Sequence, residues 1–172
     1  MTIRFQSFPD FCPNISPKQM FEIGIMGGSY FRDIVSPKTR KKYKNHNKKL
    51  SFLKDIPTFK ISNQIYDKNI NKYKVVVGTS YEYWMEKNWI NENVDPYGWI
   101  EWYCNFWNGR RTYDDERQIK RWKGIAGVNG RFRKRLQNSI NALGANDDTK
   151  FINIRQTLLH WGFDTTKMIV EK

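Results

Sequence analysis

The feature that most constrains this chain is a stripe of aromatic residues that follows Asp95-Pro96. Trp99, Trp102, Tyr103, Phe106 and Arg110 fall at i, i+3, i+4, i+7 and i+11, the repeat that gathers side chains on one helix face. Asp95 as N-cap and Pro96 at the first helical position predict its start. Gly109 predicts its stop. Rings of that size on one face must be covered, so the rest of the chain is expected to wrap this helix. Aromatics make up 16% of the residues, and each removes about 150–250 Å² from water when buried. A core is therefore feasible even though only 39% of the residues are hydrophobic.

Other helices announce themselves by their caps. Ser16, Pro17 and Gln19 spell a capping box, which predicts a helix with Met20, Phe21, Ile23 and Ile25 inward, ending at Gly27-Gly28. Thr79 with Glu82 predicts another, through Trp84 and Met85 to about Asn88. Thr112 with Asp115 reopens the chain as a helix through Ile119 and Trp122. Arg131–Leu143 follows with Phe132, Leu136, Ile140 and Leu143 inward, and Gly144 ends it. The last helix is expected to be capped by Asp147 or Asp148 and to carry Phe151, Ile154, Leu158 and Trp161 on one face. Residues Ser29–Asn47 read as a long irregular loop, Tyr73–Val77 as a short strand or extended segment. The fold class is mainly α: a single compact helical domain over 1–172 with an irregular N-terminal half and at most a short strand pair. Within it, 95–163 is the helical core region and 36–54 a basic loop.

Charge is the second constraint. The net charge is +13, and it sits in two blocks. Ser36–Lys54 holds eight Lys/Arg and no acid; Arg110–Arg135 holds ten Lys/Arg against three acids. The remainder of the chain is slightly negative. Such clustering makes a field that attracts phosphate polymers. The residues expected to contact phosphates are Lys41, Lys42, Lys44, Arg110, Arg111, Arg117, Arg121, Lys123, Arg131, Arg133, Lys134 and Arg135, the last four crowding a helix start. Some of them are equally accounted for as helix-end charges and i,i+4 pairs. The turn Ile125–Arg131 resembles the hairpin of helix-hairpin-helix modules, with Asn129 where a second glycine would stand; a plain interhelical turn accounts for the same spacing. Of the large rings, Trp102, Phe106, Trp122 and Trp161 are expected to be buried. Tyr97 and Trp107, off the stripe, are the candidates for stacking on bases.

The carboxylates that could serve a reaction are Glu101, Asp114, Asp115 and Asp33. Consecutive helical residues diverge by about 100°, so Asp114, Asp115 and Glu116 cannot all meet one ion, and helix capping explains them better. Glu101 stands out as a charge inside the aromatic helix, where burial would raise its pKa. His46 and His160 are isolated, and no zinc spacing is present. Gly27-Gly28-Ser29 lacks the remainder of a phosphate-binding loop, so helix termination explains it better. No metal and no cofactor are expected. Two distant cysteines, Cys12 and Cys104, exclude a disulfide scaffold. The opening MTIRFQSFPDF has no apolar signal core, and no run nears about 18 apolar residues. An intracellular protein of cytoplasm or nucleus, without a membrane partner, is expected.

The strings GGSYFRD, KVVVGTSYEYW, DPYGWIEWYCNFWNGRR, DDERQIKRW, NGRFRKRL and RQTLLHWGF, spread from about Phe11 to Phe163, resemble an uncharacterised protein family of giant DNA viruses, fungi and algae. The resemblance implies a nucleocytoplasmic protein, with a virion or viral factory among its settings, and brings no activity or site residue. Three functions follow as expectations. The first is a nucleic-acid-binding protein gripping the phosphate backbone of DNA or RNA through a basic, Arg-rich helical face. The second is a nucleic-acid-processing enzyme, a nuclease or base-excising activity, using a carboxylate among aromatics. The third is a viral structural or assembly protein with a protein partner.

Overall fold

A computed structural model describes residues 2–172, and among them helices dominate. The elements are α1 (Pro17–Ile23), a two-residue antiparallel pair β1 (Ile34–Val35) and β2 (Lys42–Tyr43), α2 (Tyr81–Glu86), α3 (Trp99–Trp107), α4 (Asp115–Ile125), α5 (Arg131–Leu143) and α6 (Ile152–His160). In the hairpin Ile34 pairs with Tyr43 and Val35 with Lys42. The fold is mainly α, as its periodicity predicts.

The aromatic helix α3 is the hub. Trp102, Tyr103 and Phe106 are buried on it, and they are covered by Phe11 from the N-terminal segment. The Phe11 ring lies 5.1–5.6 Å from the rings of Trp102, Tyr103, Phe106 and Trp122. Edge-to-face and tilted pairs of this kind add about 0.5–1.5 kcal/mol each beyond area burial. The N-terminal segment is held there by backbone bonds: Asn14 N–H donates to the Gly162 carbonyl, and Asn14 also exchanges two bonds with Asp164. The N-terminal segment and the residues after α6 are thus tied together beside α3.

The start of α3 differs from expectation. The helix begins at Trp99 with Gly98 as N-cap, and Asp95 makes no cap. Its carboxylate is instead claimed by Arg110 and by the Asn105 amide, 2.9 Å away. A bidentate guanidinium outcompetes backbone N–H groups because the bond is charge-assisted twice. Tyr97 turns inward too, correcting the expectation of a base-stacking surface: it is buried, and its hydroxyl donates to the Arg32 and Tyr43 carbonyls. Trp107 remains exposed.

Elsewhere the caps divide. The capping box of Ser16 and Gln19 forms, with both reciprocal bonds, although α1 closes at Gly24, before Gly27. Helix α2 is capped by Ser80, one residue after the expected Thr79. At α6 neither Asp147 nor Asp148 caps; Phe151 does, in the left-handed region. The reason is Arg155, which is fully buried and donates to Asn146, Thr165 and the Lys150 and Asp147 carbonyls, stapling the whole α5–α6 connection. Trp161 is half-buried rather than buried, and Leu143 is exposed.

The N-terminal half has little regular structure, as its sequence predicts, yet it is fixed by side-chain bonds. Residues 73–77 form no strand. Gly27 N–H donates to Asn71 Oδ1, and a Cβ on Gly28 (φ 73°) would stand 2.0 Å from the Phe59 carbonyl. That close crossing, and not phosphate binding, is what the double glycine serves. The α4–α5 connection is likewise a plain turn: Asn129 has no left-handed φ, and a Cβ on Gly130 would press within 2.4 Å of the Ile125 carbonyl.

Candidate functional site

Four arginines of the second basic block, Arg110, Arg117, Arg121 and Arg133, are partly buried, and the other six bases are exposed. Arg110 clasps buried Asp95 with bonds of 2.7 and 2.5 Å. Arg111 donates to the Phe106 carbonyl and lies 3.6 Å over that residue's ring. Arg117 clasps buried Asp114 at 2.6 and 3.0 Å and reaches the Trp89 carbonyl. Arg121 donates to the Trp89 carbonyl and to Gln118, and burial, with Arg117 nearby, pulls its pKa down to about 10. Arg133 donates to the Ala126 carbonyl and lies over the Phe163 ring. Lys123 makes an exposed pair with Asp10. These contacts engage Arg110, Arg111, Arg117, Arg121 and Arg133 with neighbouring carboxylates, carbonyls and rings. From this block, Arg131, Lys134 and Arg135 stand at the start of α5 without a salt bridge among the described residues, and no acid lies in that first turn.

The acidic triplet has the same explanation. Asp115 accepts from the Trp102 indole N–H at 2.8 Å and from Thr112 N–H at 2.9 Å; Asp114 holds Arg117 and Gln118. Both carboxylates are buried, and these bonds occupy their oxygens. Asp33 is exposed, and only its backbone is engaged, by Gln64. Among the described residues no three His, Cys, Asp or Glu side chains gather as a metal centre requires.

The first basic block behaves differently. Its ends are anchored by buried Ile34, Ser36, Leu50 and Leu53. Ser36 Oγ accepts from the N–H groups of Lys38 and Thr39, and Ser36 N–H donates to the Lys41 carbonyl, forming a tight turn. Glu92 fastens the turn from outside through Thr39 Oγ1 and Tyr43 OH, at 2.6 and 3.0 Å. Burial works to raise the Glu92 carboxyl, but the bonds from Thr39, Ser36 and Tyr43 prevail and hold it low. With these anchors, Arg40, Lys41, Lys42, Lys44, Lys48 and Lys49 lie along the loop, none in a salt bridge among the described residues.

At the base of this loop His46 meets Glu101. Nδ1 of His46 stands 2.6 Å from Glu101 Oε2. Glu101 is 3% exposed, while the His46 side chain keeps 22% of its surface open. The second Glu101 oxygen accepts the Tyr97 N–H, and the Tyr30 hydroxyl accepts the Glu101 N–H while donating to the Tyr97 carbonyl. The carboxylate is therefore oriented on both sides. Burial pushes its pKa up, against the bond and charge of His46, which pull it down. His46 Nε2 makes no hydrogen bond among the described residues, so the imidazole presents one free nitrogen while a buried carboxylate fixes the other. That is the arrangement of an oriented general base.

Of the four carboxylates singled out in the sequence, Glu101 alone meets a histidine. In the sequence His46 reads as isolated, because it lies 55 residues from its partner and no spacing rule connects them. The one signal is a charge in the middle of an aromatic stripe. Compared with protein-family models, curated proteins and solved structures, the chain matches none.

Proposed function

We propose that this protein binds nucleic acid by its phosphate backbone, through the Ser36–Lys54 loop and the start of α5. The observation that carries the reading is the contrast in charge placement: the loop's Lys41, Lys42 and Lys44 are exposed and make no salt bridge among the described residues, while Arg110, Arg117 and Arg121 are bound within the fold. Phosphate contacts of this sort carry affinity and little sequence preference. Fluorescence anisotropy with single-stranded and duplex DNA and RNA, over a range of salt, tests it. With about six phosphate contacts, log K should fall against log salt with a slope of about −5 on duplex DNA. Binding that is absent at low salt, or indifferent to salt, refutes the reading.

The His46–Glu101 pair favours a second reading, a phosphodiester-cleaving enzyme. His46 Nε2 would take the proton from an attacking water as its oxygen bonds to phosphorus and the opposite P–O ester bond breaks. The leaving oxygen would take a proton from solvent, and Glu101 would stabilise the imidazolium formed. The loop lysines beside His46 would hold the phosphate. Turnover of end-labelled DNA and RNA, with His46→Ala as control, tests it: cleavage lost in the variant with binding retained supports the enzyme, and no cleavage by the wild type excludes it.

A further inference from the structure

A cleft of about 230 Å³ opens on the side of α3 where Trp99 and Ile100 lie. Four tryptophans line it, Trp84, Trp89, Trp99 and Trp161, together with Phe132 and Tyr30. Pockets for whole drug-sized ligands run to about 300–1,000 Å³, so this one suits a single ring system.

Its walls are not merely apolar. Trp99 is only 6% exposed, and its indole N–H finds no acceptor among the described residues. The core tryptophans are unlike it: Trp102 donates to Asp115 and Trp122 to the Trp161 carbonyl. The Trp99 N–H is fully covered as the ring stands, so an acceptor in the cleft meets it only when the ring turns toward it. The cost of about 1–3 kcal/mol for a buried N–H without a partner favours that turn.

A second donor lies on the same lining. His160 Nε2 accepts from Met26 N–H at 3.2 Å and from the Gln156 amide at 3.0 Å. The amide's orientation is fixed in turn, since its oxygen accepts Tyr73 N–H and its nitrogen donates to Gly24. Burial drives the pKa of His160 down to about 3, so the ring stays neutral and Nδ1 carries the proton. Nδ1 has no acceptor among the described residues. The Arg121 guanidinium completes the lining, 5.7 and 5.4 Å over the Trp89 and Trp161 rings. Aromatic faces, unpaired N–H donors and a guanidinium together ask for a flat ring bearing lone pairs on carbonyl oxygens or ring nitrogens.

We propose that this cleft is a binding site for a heteroaromatic ring of the nucleobase class, stacked on tryptophan and accepting a hydrogen bond from the Trp99 indole. The ring could come from a free nucleotide or from a base of a bound strand. Neither source depends on the lysine loop for the cleft's own chemistry.

Tryptophan fluorescence titrated with nucleoside monophosphates and with short single-stranded oligonucleotides tests the site, with benzoate as a ring lacking acceptors within it. Saturable quenching by the monophosphates, weakened about tenfold in Trp99→Phe, establishes the site with free nucleotide as its source. The same behaviour with oligonucleotides alone makes a strand base the source. No saturable quenching, a benzoate response equal to that of nucleotides, or indifference to Trp99→Phe overturns the proposal. Should Trp99→Phe not fold, Trp89→Ala, at the exposed wall, must produce the loss. The parent nucleosides, which carry no phosphate, should quench as the monophosphates do, which separates this site from backbone binding.

Discussion

The two basic blocks of this chain have similar charge in sequence, and only in the second are guanidinium groups clasped by buried acids. In Arg110–Arg135, buried acids stand within reach: Asp95 for Arg110, Asp114 for Arg117. Planar guanidinium groups bond these carboxylates bidentately and lie over Phe106, Trp89 and Phe163, which lysine cannot do as well. In Ser36–Lys54 there is no acid, the cations are mostly lysine, and the anchors are Ser36, Leu50 and Glu92 rather than the cations themselves. Charge density alone does not mark a binding surface. What separates the two blocks is whether a buried carboxylate stands within reach and whether the cation is arginine or lysine.

Mutations at matched positions can break or sharpen this contrast. The largest effect is expected from Arg110→Ala, which strands Asp95 without its charge partner: about 3–5 kcal/mol of stability lost in urea denaturation, with affinity for nucleic acid unchanged in the folded fraction. Arg117→Ala leaves Asp114 with only the Gln118 amide among side-chain donors and should cost about 1–3 kcal/mol. On the loop side, Ser36→Ala removes the acceptor for Lys38 and Thr39 N–H. About 1 kcal/mol should be lost, and backbone amide exchange should quicken in the turn. Least of all, in stability, is the lysine triplet Lys41/Lys42/Lys44→Ala, where each surface change should stay within about 0.5 kcal/mol.

Glu101 joins α3 to the base of the Ser36–Lys54 loop through His46, and its test is one of pH. A carboxyl whose folded pKa is raised above its unfolded value favours the native state in its protonated form. That contribution is full below the unfolded pKa and disappears as pH rises through the folded one. Glu101→Gln should therefore be at least as stable as wild type at pH 7, with the advantage shrinking as pH falls toward the usual carboxylate range. A variant less stable at pH 7 would mean that the pair with His46 serves stability rather than chemistry.

Much of the helical frame was legible. The capping box at Ser16, the α3 stripe and the stop at Gly144 depend on residues a few positions apart, and such local rules hold here. Boundaries moved where a distant partner outcompeted the local one. Asp95 gave up its cap to Arg110, and Arg155 set the entry to α6 in place of Asp147 or Asp148. Tyr97 lay off the stripe but was drawn inward by carbonyls of Arg32 and Tyr43. The 3-10 turns between His46 and Ile70 have no periodicity to read, because long-range bonds such as Asn71 to Gly27 fix them. The His46–Glu101 contact belongs to the same kind, and so did not show in the sequence.

The most direct test of the contrast is the salt dependence of nucleic-acid affinity in two variants side by side, Lys41/Lys42/Lys44→Ala and Arg117→Ala. If the loop grips the backbone, the lysine variant binds more weakly across all sequences, and its log–log salt slope shrinks by about 1 for each phosphate no longer neutralised. Arg117→Ala should keep the wild-type slope. Equal weakening in both variants, or a slope that moves only with Arg117→Ala, would contradict the assignment of the binding surface to the Ser36–Lys54 loop.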